Sequence, residues 1–147
     1  MKTLVCILVL GSVTLNACVN HKQNNHEQKR ADCFKLANLI NQDFPNIPST
    51  ATPSDVTQAA YRIDQLTQEL RQVEIQNESL KQLQRELIDD HQHLSNSLNE
   101  FAITFAANTS NKSEKTKADF QEFSSKLLKA VDHNVSLKQK LSDTCLN

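Results

Sequence analysis

The chain has 147 residues and a formal net charge of −1, with 16 Lys and Arg set among 17 Asp and Glu. A near-neutral, well-mixed surface with six Phe, one Tyr and no Trp has neither the basic stripe nor the aromatic interleaving of a nucleic-acid binder. The single glycine is Gly11 and the three prolines lie between Pro45 and Pro53. A chain so poor in glycine lacks the residues that tight hairpins and phosphate-cradling loops need, which predicts an all-α fold.

Met1 and Lys2 form a short positive end, followed by apolar runs from Leu4 to Leu10 and from Val13 to Leu15. This is the pattern of a secretory signal, too short for the roughly 20 apolar residues that span a bilayer. The segment ends Leu15-Asn16-Ala17-Cys18. It resembles the lipobox of bacterial lipoproteins, where an apolar residue at −3, small residues at −2 and −1, and an obligate cysteine direct diacylglycerol transfer and cleavage. Leu15, Ala17 and Cys18 match; Asn16 departs from the usual Ser, Ala or Thr. The resemblance stops at Cys18. It implies a signal peptide over 1–17, a lipid anchor on Cys18, a bacterial cell envelope and a membrane-attached lipoprotein. Val19 in place of aspartate after the cysteine implies the outer membrane in a Gram-negative cell. On that reading Cys6 leaves with the signal and Cys18 becomes a thioether. Cys33 and Cys145 remain, and an oxidising compartment such as the periplasm predicts a disulfide between them.

Residues 18–30 read as a polar tether without apolar period, able to reach about 40 Å when extended. A short helix is expected over about 31–44, with Cys33, Leu36, Ala37, Ile40 and Phe44 on one face and Pro45 ending it. Thr52-Pro53-Ser54-Asp55 is a strong helix start, with Thr52 as cap, Pro53 in the first turn and Asp55 completing a capping box. Two apolar series follow, Val56, Ile63, Leu70, Leu98 and Phe105, and Ala59, Leu66, Val73, Leu80, Leu87, Leu94 and Phe101. They alternate by three and four, which predicts one coiled-coil-like helix over about 53–107, about 78 Å long. Asn108 to Lys112 is the turn candidate, with Asn108 suited to the left-handed conformation and Asn111 with Glu114 to the next cap. The last helix is expected over about 112–145, carrying Phe120, Phe123, Leu127, Ala130, Leu137 and Leu141.

A short turn makes these two helices antiparallel. The expected architecture is therefore a long antiparallel helical hairpin with a short additional N-terminal helix, forming one helical domain over 31–147. Phe101 then stands opposite Phe120, Cys145 opposite about residue 76 and Cys33 opposite about residue 66. That leaves roughly 15 Å between the cysteines for a frayed end or helix overlap to close.

Residues able to carry chemistry are few. Glu86, Asp90 and His93 share a face of the long helix, but the carboxylate-x-x-His element of a di-metal site has no second copy, so no metal is expected. His21 and His26 lie in the tether, and His133 has no evident partner. Asn77, Gln84 and His91 occupy core positions of the seam, where buried polar groups fix register. No serine sits in a glycine-bounded elbow and no histidine pairs with a nucleophile, so neither catalysis nor a cofactor is expected. The reading is a non-enzymatic interaction or spacer module, attached to a membrane and serving a protein partner. Its contact surface is placed at the aromatic hairpin tip, Phe101, Ile103 and Phe105, because Ile103 falls outside the seam. The alternative is a bundle that binds a small apolar ligand where three helices meet; a pocket of about 300 Å³ or more would favour it.

Overall fold

The computed structural model describes residues 17–41 and 50–146, with side chains from residue 25 onward. Every regular element among them is α-helical: α1 (Ala17–Ile40), α2 (Pro53–Gln72), α3 (Glu78–Ser110) and α4 (Glu114–Leu146). No described helix is long and apolar enough to cross a membrane. The signal segment up to residue 16, the helix end expected at Phe44 and the Pro45 to Pro48 stretch lie outside the described residues.

Helix α1 begins well before the expected residue 31 and ends at Ile40. The stretch expected to be a polar tether is thus helical. It holds no Gly or Pro, and Gln, Lys, Glu and Arg are good helix formers. Once Leu36 and Ile40 are buried, the helix extends backwards by propagation, which needs no new nucleus. Gln28 Nε2 donates to Asp32 Oδ1 at 3.0 Å one turn on, adding local support.

Helix α2 starts as its sequence predicts. The Thr52 backbone N–H donates to Asp55 Oδ2 at 2.7 Å, and the Asp55 N–H donates back to Thr52 Oγ1 at 3.3 Å. The first of these bonds holds the Asp55 carboxyl below its ordinary range.

The single long helix expected over 53–107 is two helices. The chain turns between Val73 and Asn77, and α3 runs back along α2. Three side chains make this turn. Asn77 caps α3, its side chain accepting the Leu80 N–H at 3.2 Å. Gln84, buried on α3, donates to the carbonyls of Leu70 at 2.6 Å and Val73 at 2.8 Å, which satisfies acceptors that the end of α2 leaves open. Asp32 reaches in from α1 to the N–H groups of Gln76 and Asn77. Two of the three polar members of the heptad series, Asn77 and Gln84, therefore build a corner instead of fixing a seam, whereas His91 stays buried along α3. Asn77 leaves the seam altogether, and the apolar series survives because α2 and α3 present the same stripe to each other.

The second turn also differs in detail. Asn108 stays helical, and Asn111 is the C-cap of α3 with extended backbone at φ −143°. Ser113, not Asn111, caps α4, its Oγ accepting the Thr116 N–H at 3.2 Å.

Helix α3 is central, with α2 and α4 both antiparallel along it. Ser95 Oγ donates to the Ala60 carbonyl at 3.2 Å on one side, and Phe101 meets Phe120 with ring centroids 5.3 Å apart on the other. One apolar cluster lies at the junction, where α1 joins Leu70, Ile75, Leu80, Leu83, Leu87, Leu137 and Leu141 through Leu36 and Ile40. A second lies toward the tip, around Val56, Ile63, Leu94 and Leu98. Each fully buried leucine or isoleucine contributes about 1.5–3 kcal/mol of transfer free energy.

Candidate functional site

The junction end is assembled around α1. Asp32 is fully buried, and its Oδ2 accepts the N–H groups of Gln76 and Asn77, both at 2.9 Å. A carboxylate there also meets the positive end of the α3 dipole. Burial pushes the carboxyl up, but the bonds from Asn77 and Gln76, with those from Gln28 and Lys35, hold it below its ordinary value. Lys35 spans the same corner, donating to the Glu74 carbonyl at 2.8 Å.

One residue along, Cys33 is bonded to Cys145, with Cα atoms 5.8 Å apart and a sequence separation of 112. The expected disulfide is present. The gap of roughly 15 Å expected between the cysteines disappears because the corner brings Asp32 and Cys33 level with residue 76 instead of residue 66.

A groove opens between α1 and α4 beside the bridge, with a volume of about 730 Å³. Phe34, Ala37 and Ile40 of α1 and Leu141 and Leu146 of α4 line it, together with the Cys33–Cys145 bridge, Arg30 and Lys138. Phe34 is 68% exposed and Leu146 83%. Burial holds the Lys138 amine below its ordinary range, against the attraction of Asp90.

At the opposite end, Phe101, Phe105 and Phe120 form a mutual cluster, with centroid separations of 5.7 Å, 5.3 Å and 5.8 Å. All three are half-buried, whereas Ile103 is 71% exposed. The contact residues read from sequence thus fall into two groups. Phe101 and Phe105 pack inward against Phe120, and Ile103 alone stands fully outward.

Midway along the α3–α4 interface, Asp90 turns inward. Its Oδ1 meets His133 Nδ1 at 2.6 Å and its Oδ2 accepts from Asn134 Nδ2 at 2.6 Å. His133, for which the sequence suggested no partner, is held by a buried carboxylate from the facing helix. Glu86 pairs with Lys140 at 2.5 Å across the same interface, and that bond is the main reason its carboxyl lies below the ordinary value. His93 lines a shallow groove of about 440 Å³ with Asp89, Ser97, Lys129 and His133. Glu86 and Asp90 line the same groove, but Glu86 is engaged by Lys140 and Asp90 by His133 and Asn134. Among the described residues no group of three His, Cys, Asp or Glu is arranged to hold a metal ion.

His91 is buried on α3 and its Nδ1 has no hydrogen-bond partner among the described residues. Burial pushes its imidazole below the ordinary value, outweighing the pull of Asp90 in the opposite direction. Cys18 lies in the first turn of α1, and its side chain is outside the described residues, as is that of His21. His26 is exposed on α1.

Sequence reasoning missed Asp32, and it singled out Asp90 only for the face it shares with Glu86 and His93, not for its partners His133 and Asn134. Both are buried acids whose partners lie more than forty positions away, so no local spacing marks them. Comparison with known proteins returned no match to a family model, a curated protein or a solved structure.

Proposed function

We propose that the chain is exported, anchored by lipid on Cys18, and acts as a non-enzymatic interaction or spacer module of a bacterial cell envelope, at the outer membrane where the cell has one. The observation that carries this reading is the closure of the junction by the Cys33–Cys145 bridge. A structural disulfide suits an exported protein in an oxidising compartment. It also joins the last helix to α1, the helix that leads to Cys18, so a load on the anchor reaches both ends of the fold. Fifteen helical steps lead from Cys18 to Cys33, a stalk of about 22 Å and stiffer than a coil.

Helix α3 then carries Phe101 and Phe105 about 35–40 Å from its start at the junction. Ile103, 71% exposed, presents apolar surface there, which suits a protein partner held away from the membrane. The test is capture from detergent-solubilised membranes, with the wild-type protein, Ile103→Lys and Cys18→Ser compared. The reading predicts that Cys18→Ser leaves the membrane fraction, and that Ile103→Lys stays anchored and helical but loses its partner. Retention of Cys18→Ser in the membrane would overturn the anchor, and unaltered capture by Ile103→Lys would overturn the tip.

A second reading, a binder of a small apolar ligand, is favoured by the groove of about 730 Å³ where α1 meets α4.

A further inference from the structure

The apolar core is divided, and what divides it is polar in each of α2, α3 and α4. The junction cluster ends at Leu70 on α2, Ile88 on α3 and Leu137 on α4. The tip cluster resumes at Leu66 on α2, Leu94 on α3 and Val131 on α4. The buried residues between the two are Thr67, Asp90, His91 and Asn134. Thr67 Oγ1 donates to the Ile63 carbonyl of its own helix at 2.8 Å, and Asp90 joins α3 to α4 through His133 and Asn134.

The two sides of this layer are held unequally. The junction side has the Cys33–Cys145 bridge and the bonds that Asp32 and Gln84 make at the corner. On the tip side α4 buries no side chain fully: its buried residues are Asn134, Leu137 and Leu141. Phe120, Phe123, Leu127, Ala130 and Val131 are half-buried. A region with fewer buried apolar side chains opens at a lower free energy than the rest of a fold.

We propose that the layer is an acid-operated hinge, at which the tip half of α3 and α4 opens while the junction half stays closed. His91 supplies the response to acid. Burial holds its imidazole below the ordinary value; among the described residues, Asp90 of α3 opposes that effect and Lys138 of α4 adds to it. His133 of α4 faces Asp90, the α2 residues Ile63 and Thr67 are uncharged, and Asp32 of α1 is engaged at the corner. On opening, the imidazole regains water and its ordinary affinity for a proton. Opening therefore takes up a proton. Acid favours it by at most about tenfold per pH unit, from about pH 6.5 down to the lowered folded value. The open state uncovers Phe101, Phe105 and Phe120 beside Ile103. The hinge needs neither lipid on Cys18 nor a partner, and only its use in controlling contact rests on the tip reading.

The test is native-state hydrogen exchange of the purified, oxidised protein, read by mass spectrometry between about pH 7 and pH 5 and corrected for the intrinsic pH dependence of amide exchange. Residues 94–110 and 114–131 should exchange through openings at least about tenfold more populated than those of residues 80–87 and 134–144. Acid should widen that difference in the wild-type protein. His91→Gln keeps the layer polar without a titrating group, so the difference should remain and its acid response should vanish. His91→Leu joins the two apolar clusters, so both the difference and its acid response should shrink. His93→Gln, at an exposed position of α3, should behave as wild type. Circular dichroism checks that each variant keeps its helicity. Equal protection of the two halves in the wild-type protein overturns the hinge, as does an equal rise of both in acid. An acid response that survives in His91→Gln overturns the role of His91, and its loss in His133→Gln then assigns it to the pair with Asp90. Exchange is read without a partner, so failure of the tip in the capture experiment leaves this result standing.

Discussion

Replacing Asp32 with Ala removes the group on which three helices converge. Two backbone N–H groups, those of Gln76 and Asn77, lose a charged acceptor at 2.9 Å. A hydrogen bond to a charged group contributes about 1.5–3 kcal/mol, and taking the lower figure for each gives a loss of about 3 kcal/mol. The bonds from Gln28 and Lys35 add less, because both donors can turn to water. Asp32→Asn keeps an acceptor oxygen without the charge and should lose about half as much. The two variants also separate in their pH dependence. The folded Asp32 carboxyl lies below its ordinary 3.8, so the unfolded chain takes up the proton first. The stability that Asp32 contributes is therefore complete above about pH 4 and is lost as pH falls through the lowered folded value. Urea denaturation followed by far-ultraviolet circular dichroism, repeated from neutral pH to about pH 3, measures both effects. The wild-type protein should lose its advantage over Asp32→Asn across the acidic limb. A loss below about 1 kcal/mol for Asp32→Ala at neutral pH, or parallel acidic limbs for wild type and Asp32→Asn, would refute the role of Asp32 as the pin of the corner.

Three further outcomes follow from the same geometry. Cys145→Ser opens a loop of more than a hundred residues, for which the chain-entropy model sets an upper loss of about 5 kcal/mol; calorimetry should show a lower Tm, and Cys33 should become open to alkylation in the native protein. Gln84→Leu leaves the Leu70 and Val73 carbonyls without their donor and should cost about 1–3 kcal/mol in urea titration, whereas a continuous helix through residues 73–77 would make the change neutral or stabilising. His91, held below its ordinary 6.5 by burial, keeps its contribution above about pH 6.5 and loses it as pH falls toward the lowered folded value, because the unfolded chain protonates first; His91→Leu should flatten that part of a Tm-against-pH profile and also removes the unpartnered Nδ1.

Features that depend on composition and local spacing were legible in the sequence. The absence of glycine after Gly11 predicts helices, and the described residues are helical wherever they are regular. The Thr52–Asp55 box, the opposition of Phe101 and Phe120, and the pairing of Cys33 with Cys145 are also present. The corner at 73–77 was not legible from periodicity, because a heptad stripe reads the same in one long helix and in two that fold on each other. A local sign did exist, since Asn77 followed by Glu78 is a helix start. Of the polar residues in an otherwise apolar series, Asn77 and Gln84 marked where the stripe changes use, whereas His91 did not. The helical form of residues 17–30 was hidden for the opposite reason, because a helix that buries little carries no amphipathic period. The pairing of His133 with Asp90 depends on the register of α3 against α4, which local spacing does not encode.

The central claim is that one molecule carries lipid at Cys18 and a closed Cys33–Cys145 junction. Mass spectrometry of an unreduced digest of the membrane fraction tests both parts on the same material. The account predicts an amino-terminal peptide beginning at Cys18 with a thioether-linked diacylglycerol, together with a disulfide-linked pair of peptides containing Cys33 and Cys145. An unmodified Cys18 on membrane-derived protein, or Cys33 and Cys145 recovered as free thiols, would contradict it.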